Sequence, residues 1–260
     1  MIGPIANEDH GWFARARTQR ARRALERQLE YQKKKASGGT ESDTFARNVF
    51  LHTQAVMQKI ADVRPISPGD KVLEVGSGAH GLVFGLAGNL AVGIDPLAVE
   101  YKSLFPNLQR NAVTAAAIGE MLPFGDETFD VVMSDNVIDH AEEPLAIVRE
   151  LVRVLKKGGI LYFTANVHHP VYEWASRFHG LWNGLGIKFE ISPFADHTVH
   201  LTEERIRSAF ASLPLSPVSQ SSTVEEMKKA RRDSGSRGAE AVFKKLFFKN
   251  AVYELVAVRK

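Results

Sequence analysis

Short apolar runs alternate with longer amphipathic stretches across residues 70–165, and this alternation organises the chain. The runs 72–75, 90–94, 112–117, 130–134 and 160–164 are dense in apolar residues and have the length of buried strands. Helical spacing fills the gaps between them. It is clearest after Pro144, where Leu145, Val148, Leu151, Val152 and Leu155 share one face. Strands separated by helices predict a parallel sheet covered on both sides. Pro144 suits the first turn of that helix, with Lys156-Lys157 as its basic last turn and Gly158-Gly159 as its stop.

Two helices are expected ahead of the sheet. Trp12–Lys35 is rich in Arg and Lys, and its apolar stripe is thin: Ala21, Leu25 and Leu29. That is too little surface to hold the helix on the body, so it is expected to be mobile until a partner orders it. Asp43–Asp62 carries a fuller stripe (Phe45, Val49, Thr53, Val56 and Ile60) that must pack on something. Beyond the fifth strand, residues 166–200 have mixed character. A helix capped by Thr202 follows, with Glu203 and Glu204 in its first turn. Two strands, about 215–219 and 251–259, flank a basic insertion near the end. The expected organisation is a helical arm and cap at 1–62 and one domain at 63–260, with a lid insertion at about 166–200.

The first strand leads into the candidate chemistry. Glu74 lies within it, and Gly76, Gly78 and Gly81 break it into a tight turn before an apolar run predicted to open a helix at Leu82. A strand that ends on glycines lets a ligand approach the backbone, and free N–H groups there can face an anion or carboxylate. The second strand ends at Asp95, placed to accept hydrogen bonds from ribose hydroxyls. Gly76-x-Gly78-x-x-Gly81 with this acid downstream fits a dinucleotide fingerprint. It fits equally the nucleoside loop of a methyl-group donor.

Composition narrows the class. With 260 residues, 44% hydrophobic and 24% charged, the chain reads as a soluble globular protein with a substantial core. The absence of cysteine excludes disulfides, thiolate metal sites and cysteine nucleophiles. No apolar run approaches the roughly 20 residues of a membrane span, and a cytoplasmic location is expected. Residues 1–60 hold eleven Lys/Arg against six Asp/Glu, so the arm is +5 and the remaining 200 residues about −2. Such a helix either presents a solvated face or tracks phosphates of nucleic acid or lipid.

Four stretches in order resemble the class I S-adenosylmethionine-dependent methyltransferases of small-molecule type, over about residues 68–165. They are Val72-Leu-Glu-Val-Gly-Ser-Gly78, Gly93-Ile-Asp-Pro96, the segment from Glu120 to Val132, and Leu155-Lys-Lys-Gly-Gly-Ile-Leu161. The third and fourth have no reason to occur in a nicotinamide-dependent oxidoreductase. The resemblance implies a Rossmann-like α/β fold: a seven-stranded, mostly parallel sheet with an antiparallel last strand, helices on both faces and an N-terminal helical extension. It also implies S-adenosylmethionine as cofactor and no metal. Glu74, Gly76, Ser77 and Gly78 would hold the methionine moiety, Asp95 the ribose diol, and Pro96, Gly119, Glu120 and Met121 the adenine. Ser134, Asp135 and Asn136 would lie beside the reactive methyl. The chain departs from the family at His80, where a third glycine is expected, at Ile118, where an Asp often stands, and in the shortness of the segment from Gly76 to Asp95.

The acceptor is expected to be a small molecule seated under the lid, with His140, His168 or His169 as a candidate base if a hydroxyl is methylated. RNA methylation through the basic arm is the alternative function, although no Asn-Pro-Pro-Tyr-like tetrapeptide follows the fourth strand. A homo-oligomer through the N-terminal helices is a further expectation.

Overall fold

A computed structural model describes residues 12–38, 43–86, 90–138, 141, 143–171, 201–233 and 251–260. Seven strands form one sheet: β1 (Lys71–Val75), β2 (Leu90–Ile94), β3 (Val113–Ala115), β4 (Phe129–Asp135), β5 (Leu155–Val167), β6 (Leu215–Ser222) and β7 (Ala251–Arg259). Their order is β3-β2-β1-β4-β5-β7-β6. The first five are parallel, and β7 runs antiparallel to both β5 and β6.

Strand residues alternate between two cores, as the pleat requires. Leu73, Val132, Leu161 and Phe163 face one side, beneath α5 (Pro144–Val154) and α6 (Glu203–Ala211). Val72, Val131, Met133 and Ile160 face the other, where Val56 and Ile60 of α2 (Asp43–Ala61) cover them. The remaining helices are α1 (Trp12–Ser37), α3 (Ala98–Leu104), α4 (Pro106–Gln109) and α7 (Val224–Asp233). None of the described helices is long and apolar enough to cross a membrane.

Three expectations need correction. Lys156 to Gly159 do not close α5, which ends at Val154; they open the 13-residue β5. The register between β4 and β5 shifts between Phe129 and Val131, and Gly158 takes φ +73°, so the glycines serve a bulge in the sheet. Lys156 Nζ sits 2.8 Å from both oxygens of Asp130 across that bulge.

The helix expected at Leu82 is a single 3₁₀ turn, Leu82–Gly85. Too few residues separate it from β2 for a longer helix, and α2 packs across it. Thr53 Oγ1 donates to Leu82 O at 2.9 Å, and a Cβ at Gly85 would collide with the Thr53 side chain.

The basic helix α1 docks, contrary to the expectation from its thin leucine stripe. Ala24 and Gln32 are buried, and Ala36 packs with Ala79, Tyr101 and Phe105. Small side chains allow the close approach that the leucines alone could not secure. Lys35 Nζ adds a cation–π contact 4.4 Å from the Phe45 ring centroid. The lid expected at 166–200 lies beyond residue 171 outside the described residues.

Candidate active site

The turn after β1 is built on backbone conformations that only glycine adopts easily. Gly76 has φ +79° and Gly78 φ +53°. At Gly76 a Cβ would also collide with both methyls of Val137. At Gly78 a Cβ would meet nothing nearer than Gly76 O at 3.9 Å, so its missing side chain leaves open space. The Gly78 N–H donates to Asp95 Oδ2 at 3.0 Å, and the Leu97 N–H to Asp95 Oδ1 at 2.8 Å. Asp95 is thereby aimed at the turn from the end of β2.

Glu74 does not reach the ligand side. Its carboxylate is fully buried, with Oε1 accepting from Leu82 N at 2.9 Å and Oε2 from Val83 N at 2.8 Å. Gly81 gives it room, since a Cβ there would strike the carboxylate. Burial pushes Glu74 up to about 8, reinforced by the Asp135 and Asp95 charges and opposed by the two backbone hydrogen bonds. The acid expected to meet an ammonium group instead caps the 3₁₀ turn and shapes the loop from beneath. His80, standing where a third glycine is expected, is packed edge-on between Phe45 and Phe105, with centroids at 4.4 and 4.6 Å. Burial, with Lys35 nearby, lowers its pKa to about 3, so it is a neutral core residue.

A cleft of about 290 Å³ opens outside the C-terminal ends of β1, β2 and β4, where doubly wound sheets bind ligands. Gly76, Gly78, Asp95, Pro96, Gly119, Glu120, Asp135 and Asn136, all anticipated from sequence, line it. Glu74, Ser77, Met121 and Ser134 do not. Ser77 and Ser134 are buried beneath the surface of the sheet, and Met121 points outward at 73% exposure. Of the three histidines, His140 lies outside the described residues. His168 is buried, and its backbone N–H donates to Leu201 O at 2.8 Å. His169 is partly buried, with a pKa lowered by desolvation. Neither is among the described residues lining the cleft.

Two groups of residues escaped the sequence reading. Ala24, Leu25 and Gln28 of α1 form one wall of the cleft, beside Tyr101 of α3. A helix judged by its leucine stripe conceals that contact. The second is His52 of α2, whose Nε2 lies 2.7 Å from Asp135 Oδ2, while Thr164 Oγ1 donates to Asp135 Oδ1 at 2.5 Å. The only sequence hint was its position next to Thr53, at the edge of the apolar stripe of α2.

Residues 73–163 match the methyltransferase domain family. An uncharacterized methyltransferase from Mycobacterium leprae is 32% identical over 120 residues, 45% of this chain and 42% of that protein. The ubiquinone biosynthesis O-methyltransferase of Pseudomonas fluorescens is 33% identical over 118 residues, 42% of this chain and 50% of that protein. The matched stretch thus spans about half the length of these relatives. A geranyl diphosphate methyltransferase solved with S-adenosylmethionine shares the fold, with TM-score 0.53, 17% identity, and 85% of this chain and 92% of that one covered. Over residues 73–163, about a third of the chain, sequence match, relatives and sheet order point the same way: this stretch is similar to the methyltransferase domain family.

Proposed function

We propose that the chain transfers a methyl group from S-adenosylmethionine to a small-molecule acceptor at this cleft. The observation that carries the reading is the wall at Gly76 and Gly78. Two left-handed glycines bring no side chains of their own to it, with Val137 packed where a Gly76 Cβ would sit, and it lies directly beside an acid held by the Gly78 and Leu97 N–H groups. When bound, S-adenosylmethionine supplies an electrophilic methyl on sulfur, with a neutral thioether as the leaving group. Backbone at Gly76 and Gly78 would border its amino-acid portion, Asp95 would accept from the ribose hydroxyls, and Pro96, Gly119 and Glu120 would flank the base. Glu74 has no place in that contact set, because its oxygens are taken by the 3₁₀ turn.

The protein's contribution to such a displacement is alignment and exclusion of water. In this reading residues 1–62 are the arm and cap, 63–260 the transferase domain, and 166–200 the segment that selects the acceptor. The Pseudomonas relative and the geranyl diphosphate enzyme are both named for small-molecule substrates, which supports a small acceptor.

Calorimetry tests the reading. S-adenosylhomocysteine should bind in the micromolar range and NAD should not. Asp95→Ala should weaken the homocysteine nucleoside by about 1.5–3 kcal/mol, the scale of hydrogen bonds to a charged group. Tight NAD binding with no binding of the nucleoside would overturn the proposal.

A further inference from the structure

Asp135 lines the cleft with one side and holds His52 with the other. Both carboxylate oxygens are engaged: Oδ2 with His52 Nε2 at 2.7 Å and Oδ1 with the Thr164 hydroxyl at 2.5 Å. Thr164 is itself buried on β5, so the carboxylate is anchored from the sheet. A carboxylate on Nε2 requires that nitrogen to carry the proton, which leaves the lone pair of a neutral imidazole on Nδ1. His52 comes from α2, 83 residues away in sequence; its side chain is 56% exposed and, like His168 and His169, it is not among the described residues lining the cleft, which it adjoins through Asp135.

We propose that His52, oriented by Asp135 and Thr164, is the proton acceptor for a hydroxyl-bearing methyl acceptor. The inference rests on the methyltransferase reading above and names its substrate class. The hydroxyl gives its proton to His52 Nδ1 as its oxygen bonds to the methyl carbon, and the electron pair of the broken C–S bond stays on sulfur. The resulting imidazolium is held by the Asp135 carboxylate, the arrangement by which an acid orients and stabilises a catalytic histidine. An amine or an activated carbon does not need a base fixed in one tautomer. Other charged or titratable groups stand on the same side of the sheet. Lys59, further along α2, is 2.5 Å from Glu254 of β7, and Tyr162 of β5 donates to the same carboxylate at 3.1 Å. Glu74 lies beneath, close enough to feel the charge of Asp135. The Lys59–Glu254 pair is self-contained, and Asp135 is the carboxylate in contact with His52.

The test uses the full chain and two readouts. Nitrogen NMR of the histidine-labelled protein should show His52 as the Nε2–H tautomer, and Asp135→Ala should convert it to a mixture. Nδ1–H in the wild type would overturn the proposal. For chemistry, trideuteromethyl S-adenosylmethionine is incubated with a small-molecule extract of the source cells, and products are read by mass spectrometry. The label should appear as a methoxy group. His52→Asn should lower its formation at least a hundredfold while S-adenosylhomocysteine affinity stays within about threefold. Label on nitrogen or carbon, or a product yield that survives His52→Asn, overturns the role of His52 and leaves the methyltransferase reading standing. No labelled product from the wild type, together with no binding of the nucleoside, refutes that reading and this inference with it.

Discussion

Glu74→Gln separates a ligand-binding acid from one that builds the loop. In the wild type the two carboxyl oxygens receive two backbone N–H groups, from Leu82 and Val83. A glutamine presents one oxygen and one NH₂ in the same fully buried space, so one of those N–H groups faces another donor. Losing that bond inside the core costs about 1–3 kcal/mol.

The pH dependence follows from Glu74 standing at about 8 in the folded chain, against 4.5 ordinarily. Between those values the folded state keeps a proton that the unfolded state has released. The wild type therefore loses stability as pH rises through the window, by at most about 1.4 kcal/mol per pH unit. The glutamine variant has no such group. Its deficit against the wild type should be largest near pH 5 and shrink toward pH 8. Urea titrations at pH 5, 6, 7 and 8 read this difference directly. Parallel profiles for the two proteins, or equal stability at pH 5, would refute the assignment of Glu74 as a buried, protonated cap.

Two further outcomes follow from the same geometry. Gly76→Ala forces a side chain into φ +79° and onto Val137; thermal melts should fall by the equivalent of about 1–3 kcal/mol, and calorimetric binding of S-adenosylhomocysteine should be lost. Removing residues 1–38 strips Ala24, Leu25 and Gln28 from the cleft wall. The truncated chain should keep its sheet by circular dichroism but bind the nucleoside at least tenfold more weakly, and unchanged affinity would show that α1 is not part of the site.

Much of the fold was legible because local pattern encodes it. The apolar runs gave the strands their places in sequence. Glycines at 76 and 78 marked a turn requiring left-handed backbone, and Asp95 followed the second strand at a spacing that brings its carboxylate to that turn. These are properties of neighbours in the chain, whereas Pro96, Gly119, Asp135 and Asn136 were expected only from the resemblance and are found lining the cleft.

Other features depend on what lies opposite in space. Gly158-Gly159 can stop a helix or fold a bulge with equal local sense; pairing with β4 decided for the bulge. Glu74 could have turned up to a ligand or down to the 3₁₀ turn, and two unsatisfied N–H groups drew it down. The docking of α1 rests on alanines and a glutamine, which carry no amphipathic signal because small residues stabilise through closeness of approach more than through area. His52 and Asp135 meet only because α2 lies across the sheet on Val56 and Ile60. Sequence periodicity determined that α2 must bury a face, but the partner of the histidine at the edge of that face was decided by tertiary packing alone.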